Sequence, residues 1–248
     1  MNDNPAASRI PILRLALLAL LSGIPVLANT ARQPFHWLGR IPEGQTIEIL
    51  GYSGDVQAEL AGGDEVEVFA IRHGERPERI RIDVLDRDGG ITIAAVYPPR
   101  HRNDSTKVDF RVRVPAGVRL VAKTVNGRVR AAGLASDVEA QTLNGGIEIA
   151  TSRSARAETI NGSIVASVGE VRKDGGKEFT AVNGSVVLDL PGVVDANLDV
   201  ETLNGEIRSE LACRGEPGSR RLTGVLGKGG PMLSIRTSNG GIWLLRTV

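Results

Sequence analysis

One short motif recurs down this chain and limits the folds open to it. The sequence reads TVNGRVRA from Thr124, TLNGGIEI from Thr142, TINGSIVA from Thr159, AVNGSVVL from Ala181, TLNGEIRS from Thr202 and TSNGGIWL from Thr237. Asn-Gly is a strong turn signal, because glycine takes positive φ at no steric cost and asparagine at little. One such turn between alternating apolar residues would indicate a hairpin. Six at related positions indicate a repeat architecture. The asparagines are spaced 18, 17, 22, 21 and 35 residues apart, and about 20 residues is one coil of short strands with turns between. The sequence therefore predicts an all-β chain, a single-stranded parallel β-solenoid resembling a β-helix. The longest gap leaves room for an inserted loop, and the Asn239 turn is expected in the terminal coil.

The residues around each turn alternate. Ala122, Ala140, Ala157, Phe179, Val200 and Ile235 stand two places before the Thr position, and Val129, Ile147, Ile164, Val186, Ile207 and Ile242 stand three after the Asn. Successive strand residues point to opposite faces. On this parity the apolar residues, the Thr and the Asn share the inward face. Asn126, Asn144, Asn161, Asn183, Asn204 and Asn239 are then expected to stack as an inward amide ladder. Gly127, Gly145, Gly162, Gly184, Gly205 and Gly240 are expected to take the corner with positive φ. Both sets read as scaffold, because an inward face gives a ligand no access.

The front half carries weaker copies. Around Gly51-Tyr52-Ser53-Gly54, Ser53 stands at the Asn place, and in Asp86-Arg87-Asp88-Gly89 the two aspartates take the Thr and Asn places. Longer spacings and the run Glu65–Ile71 predict irregular front coils or paired edge strands. No segment has the period and length of a helix.

In order, Ser53-Gly54-Asp55-Val56, then VRVPAGVRL from Val112, then the serial T-x-N-G-x-[VI], and last LTGVLGKGGPMLSIRTSNGGIWLL from Leu222 resemble the bacterial putative-adhesin family. The resemblance covers roughly residue 41 to the end. It implies an exported repeat scaffold of the cell envelope and supplies no catalytic residues.

At the N-terminus, Arg9 and Arg14 precede the apolar run Leu15–Leu21, and Val26-Leu27-Ala28 offers a cut after Ala28. That pattern is a secretory signal peptide, with an apolar run shorter than the roughly 20 residues of a membrane span. The expected organisation is a signal peptide over 1–28, an extension over 29–40 and the solenoid over 41–248, with no membrane span after cleavage. Cys213 is the one cysteine, so no internal disulfide forms. With 30 Lys and Arg against 29 Asp and Glu, no net field favours nucleic acid.

Candidate chemistry thins out on inspection. Gly224–Gly230 has a phosphate-loop look, but Gly229 follows Lys228 and no helix pattern comes after. Asp86–Gly89 lacks the remaining ligands of a calcium loop. His36, His73 and His101 have no ligand spacing. Glu139, Glu148, Glu158, Glu201 and Glu206 would form outward acidic stripes, but polar-edged aromatics are too few for a long sugar groove. The reading is a non-enzymatic module without cofactor or metal, exported to the periplasm or cell surface, with an envelope protein or surface glycan as partner. A carbohydrate-binding or carbohydrate-cleaving β-helix is the first alternative, and an envelope-sensing partner of a membrane protein the second. The ligand and the role of the loop 212–231 stay open at this level.

Overall fold

The computed structural model describes residues 34–98, 105–171, 178–217 and 219–247. The leader, its cut after Ala28, and His101 lie outside them. The described residues form strands and one three-residue 3-10 turn at Pro77–Arg79, with no α-helix. The front strands are β1 (Phe35–Gly39), β2 (Thr46–Leu50), β3 (Val56–Leu60), β4 (Val66–His73), β5 (Arg81–Arg87), β6 (Gly90–Val96) and β7 (Lys107–Val114). The repeats follow as strand pairs: β8 (Arg119–Lys123) with β9 (Val129–Leu134), β10 (Val138–Asn144) with β11 (Ile147–Thr151), β12 (Ala155–Asn161) with β13 (Ile164–Val168), β14 (Glu178–Asn183) with β15 (Val186–Pro191), and β16 (Ala196–Asn204) with β17 (Ile207–Ser209). A hairpin, β18 (Arg214–Pro217) and β19 (Arg221–Leu226), precedes the last pair, β20 (Met232–Asn239) and β21 (Ile242–Thr247).

The strands make two large, mostly parallel sheets. One has ten strands in the order β1-β4-β7-β3-β9-β11-β13-β15-β21-β17. The other has eleven in the order β18-β19-β16-β20-β14-β12-β10-β8-β2-β6-β5. Each Thr-x-Asn-Gly stands where the chain leaves the eleven-stranded sheet for the ten-stranded one. Equivalent residues pair across repeats: Ala140 with Ala157 and Thr142 with Thr159, Asn161 with Asn183, Ile147 with Ile164. The inward residue of each pair repeats, so the period-2 pattern of one strand becomes a buried row along the sheet. Ala122, Ala140, Ala157, Phe179, Ile235 and Val200 from one sheet join Val129, Ile147, Ile164, Val186 and Ile242 from the other in one continuous core.

Spatial order departs from chain order at both ends. β20 lies between β14 and β16, and β21 between β15 and β17. The Asn239 repeat is therefore internal, and the repeat of β16 and β17 is the outermost. At the front, β6 and β7 lie outside β2 and β3. An end strand offers unpaired N–H and C=O groups to any other chain. Here antiparallel strands stand at three of the four sheet edges: β1 on β4, β5 on β6, and β18 on β19. The long gap before Asn239 holds that last hairpin. Asp86 and Asp88 are not a corner of the repeat either. Asp86 lies in β5 opposite Ile91, and Asp88 stands in the turn between β5 and β6, where Gly89 and Gly90 have φ of 93° and 153°.

Candidate interaction surface

The corner is held by two sets of bonds. The Thr side chains point inward: Thr124, Thr142, Thr159, Thr202 and Thr237 are all buried. Each donates its Oγ1–H to a glycine carbonyl of the neighbouring repeat. Thr142 reaches Gly127 O at 2.9 Å, Thr159 reaches Gly145 O at 3.0 Å, Thr237 reaches Gly184 O at 2.7 Å and Thr202 reaches Gly240 O at 2.8 Å. Thr124 does the same to Gly54 O at 3.2 Å. Ala181 occupies the Thr place of the Asn183 repeat and brings no hydroxyl.

The six asparagines are exposed, not inward. The chain begins to turn directly after the Thr, so Thr and Asn lose the shared parity of a straight strand. Their amides run along the outside of the corner. Asn144, Asn161, Asn183, Asn239 and Asn204 each donate Nδ2–H to the Oδ1 of the preceding rung, at 2.7 to 2.9 Å. The spatial order is Asn126, Asn144, Asn161, Asn183, Asn239, Asn204.

The six motif glycines do not have positive φ. Their requirement is space. A Cβ on Gly145, Gly162, Gly184 or Gly205 would lie 1.9 Å from the carbonyl oxygen of the glycine in the next repeat, and one on Gly240 would lie at 2.2 Å. Stacked corners approach too closely for any side chain there.

The residue between Thr and Asn points outward, and it is usually apolar. In spatial order these are Tyr52, Val125, Leu143, Ile160, Val182, Ser238 and Leu203. Tyr52, Leu143, Ile160, Val182 and Leu203 are 47%, 40%, 42%, 36% and 57% exposed. Backbone bonds from Val125 N to Tyr52 O and from Leu143 N to Val125 O, both 3.2 Å, hold successive members in line. Beside the row runs a shallow groove of about 510 Å³, floored by Lys123, Gln141, Glu158 and Thr180. The sequence holds the signal for this row, an apolar residue at the same outward place in successive repeats. Alternation read only for its buried face passes over it.

The acidic residues do not form one stripe. Glu139 and Glu158 lie on the eleven-stranded sheet, while Glu148 and Glu206 lie on the other side of the corner. Most meet guanidinium groups. Glu139 pairs with Arg119 at 2.6 Å. Glu158 and Glu178 share Arg156, and Asp199 takes Arg221 and Arg236. That lattice is a solvated, charge-balanced face. His36 pairs with Glu67 and His73 with Asp109, each at 3.0 Å, at opposite ends of β4. Gly224–Gly230 ends β19 in a closed turn, where Lys228 N donates to Asp195 and Gly229 N to Leu226 O. Those N–H groups are taken by protein acceptors rather than turned to a phosphate. Cys213 is half-buried against the core. Among the described residues, no three His, Cys, Asp or Glu side chains gather as a metal site, and no helix is long and apolar enough to cross a membrane.

No protein-family model matches the sequence, and no curated protein does. Several solved structures are similar, these three among them. A putative cell adhesion protein from Clostridium sporogenes aligns over 87% of this chain and 100% of its own, at 8% identity and a TM-score of 0.43. A putative adhesin from Bacteroides fragilis aligns over 86% and 98%, at 11% identity and 0.39. A putative adhesin from Parabacteroides merdae aligns over 86% and 96%, at 10% identity and 0.24.

Proposed function

We propose that this chain is a non-enzymatic, exported interaction module of the bacterial cell envelope. Its repeats wind as a parallel β-solenoid over 41–248. The Thr, Asn and Gly of each corner hold shape, and the outward row makes contact. The observation that supports this reading is the row itself. It runs six strand steps from Tyr52 to Leu203, about 29 Å at about 4.8 Å per step. Scattered exposed apolar residues are ordinary, but outward apolar residues at five successive corners, Tyr52 to Val182, mark a contact site, with Ser238 separating them from Leu203. The same row fits a membrane-protein partner, the envelope-sensing alternative.

The test is a triple variant, Leu143→Thr, Ile160→Thr and Val182→Thr. All three side chains are exposed, so each change is expected to move stability by less than about 0.5 kcal/mol. Retention of envelope material on the immobilised protein is expected to fall away. Retention equal to the parent removes the row from the reading. Treating the retained material with glycosidase or with detergent separates a glycan partner from a membrane protein. Export is tested by N-terminal sequencing of the mature chain, which is expected to begin near Asn29.

A further inference from the structure

We propose that the outer face of the ten-stranded sheet carries a binding groove for an acidic saccharide. The proposal rests on the interaction-module reading and names a ligand for a second face of the same frame. Register across β4, β7, β3 and β9 sets Phe69, Arg111, Gln57 and Arg130 side by side in one line. They are far apart in sequence and about 4.8 Å apart per step in the sheet. With Ile71 and Arg113 they line a cavity of about 600 Å³, a second recess apart from the one beside the corner.

Charge separates this groove from the rest of the surface. Arg113 is spent, because it forks to Glu59 and Glu67 at 2.9 Å each. Arg130 stands 3.7 Å from Glu148, with both side chains more than half exposed, so water screens the pair. Arg111 has no carboxylate within ion-pair distance among the described residues, and it is exposed. The opposite sheet presents matched pairs, whereas this groove, lined also by Glu59, keeps one guanidinium, Arg111, with no carboxylate beside it among the described residues. Arg111 and Arg130 stand two strand steps apart along the sheet, about 9–10 Å between backbones, with Gln57 on the strand between them. Guanidinium binds carboxylate through two parallel N–H groups. An amide both donates and accepts, which suits hydroxyl groups. Phe69 closes one end, stiffened by His36 stacked on it at 4.3 Å and 3°. Carboxylate, hydroxyl, carboxylate is the order of groups along an acidic sugar chain lying across the strands. Two guanidinium groups are too few for a nucleic-acid track.

The experiment is titration calorimetry of the mature chain with galacturonate hexamer. A neutral galactose hexamer and phosphatidylglycerol vesicles are the comparison arms. Saturable binding of the galacturonate is expected, weakening with added salt. Arg111→Gln and Arg130→Gln are each expected to weaken it about tenfold, the scale of one charge-assisted bond, at unchanged unfolding midpoints. Arg208→Gln, on β17 of the same sheet but outside the groove lining, is expected to leave it unchanged. The proposal is overturned by no binding, by equal binding of the neutral hexamer, by binding to vesicles alone, or by indifference to Arg111→Gln and Arg130→Gln made together. Envelope retention by the parent protein is scored in parallel. Retention without galacturonate binding sinks the groove and leaves the module reading standing. Galacturonate binding without retention does the reverse.

Discussion

Gly145 and Gly146 are consecutive residues in one turn, yet replacing each by alanine is expected to have opposite consequences. A Cβ on Gly145 would lie 1.9 Å from the Gly127 carbonyl oxygen, whereas one on Gly146 meets only the Ser163 carbonyl oxygen at 3.5 Å. Neither residue has positive φ, so backbone strain does not separate them. Ordinary contact begins near 3.4 Å, so Gly145→Ala must push neighbouring strands apart by about 1.5 Å, well beyond hydrogen-bond tolerance. Bonds crossing that gap include Thr142 to Gly127 O at 2.9 Å, Asn144 to Asn126 at 2.7 Å, and Gly127 N to Asn144 O at 3.0 Å. At roughly 0.5–1.5 kcal/mol net for each, losing these three costs about 1.5–4.5 kcal/mol. Gly146→Ala loses none of them and narrows the unfolded ensemble, a gain of up to about 1 kcal/mol. In urea, with a slope of about 1–3 kcal/mol per molar, the two midpoints are expected about 1 M or more apart. Equal midpoints, or a larger loss at Gly146, would refute the claim that close stacking dictates these glycines.

Other substitutions probe the same corner. Thr159→Val keeps shape but leaves the Gly145 carbonyl without its 3.0 Å donor, at a cost of about 1–3 kcal/mol by thermal or chemical unfolding. Ala181→Thr adds a donor facing the Gly162 carbonyl, the rung without a hydroxyl, and is expected to raise stability by about 0.5–1.5 kcal/mol; a loss would mean that the row of threonines is not additive. Asn161→Ala removes two exposed links, to Asn144 at 2.7 Å and from Asn183 at 2.8 Å. It should cost about 1 kcal/mol and leave envelope retention intact, since water replaces exposed amides readily. Gly162→Val and Gly205→Val create the same 1.9 Å clash in a central and an outermost repeat. The central change should cost about 1–3 kcal/mol more, through the bonds of one further interface, and Gly240→Val should follow it rather than Gly205→Val.

Much of this protein is written in local pattern. Strand after strand alternates with period 2, and that alone marks Ala140, Ala157, Ile147 and Ile164 as core residues. Thr-x-Asn-Gly marks the corners, because the chemistry of a turn is confined to a few adjacent residues. The apolar residue between Thr and Asn was equally visible, as Leu143, Ile160 and Val182 are written at the same place in each copy. Only tertiary structure decided which way the asparagines face, since the bend after the Thr breaks the parity a straight strand would keep. It also decided why glycine follows: the Gly145 position is restricted by a carbonyl eighteen residues upstream, not by its own φ. Spatial order lay beyond local reading as well. The six motif copies are nearly equivalent, so each slot in the stack accepts more than one of them. The placement of β20 and β21 inside β16 and β17 rests on how the whole stack covers its edges. The groove shows this most plainly. Phe69, Arg111, Gln57 and Arg130 share no motif or spacing, and only the pairing of four strands puts them in one line.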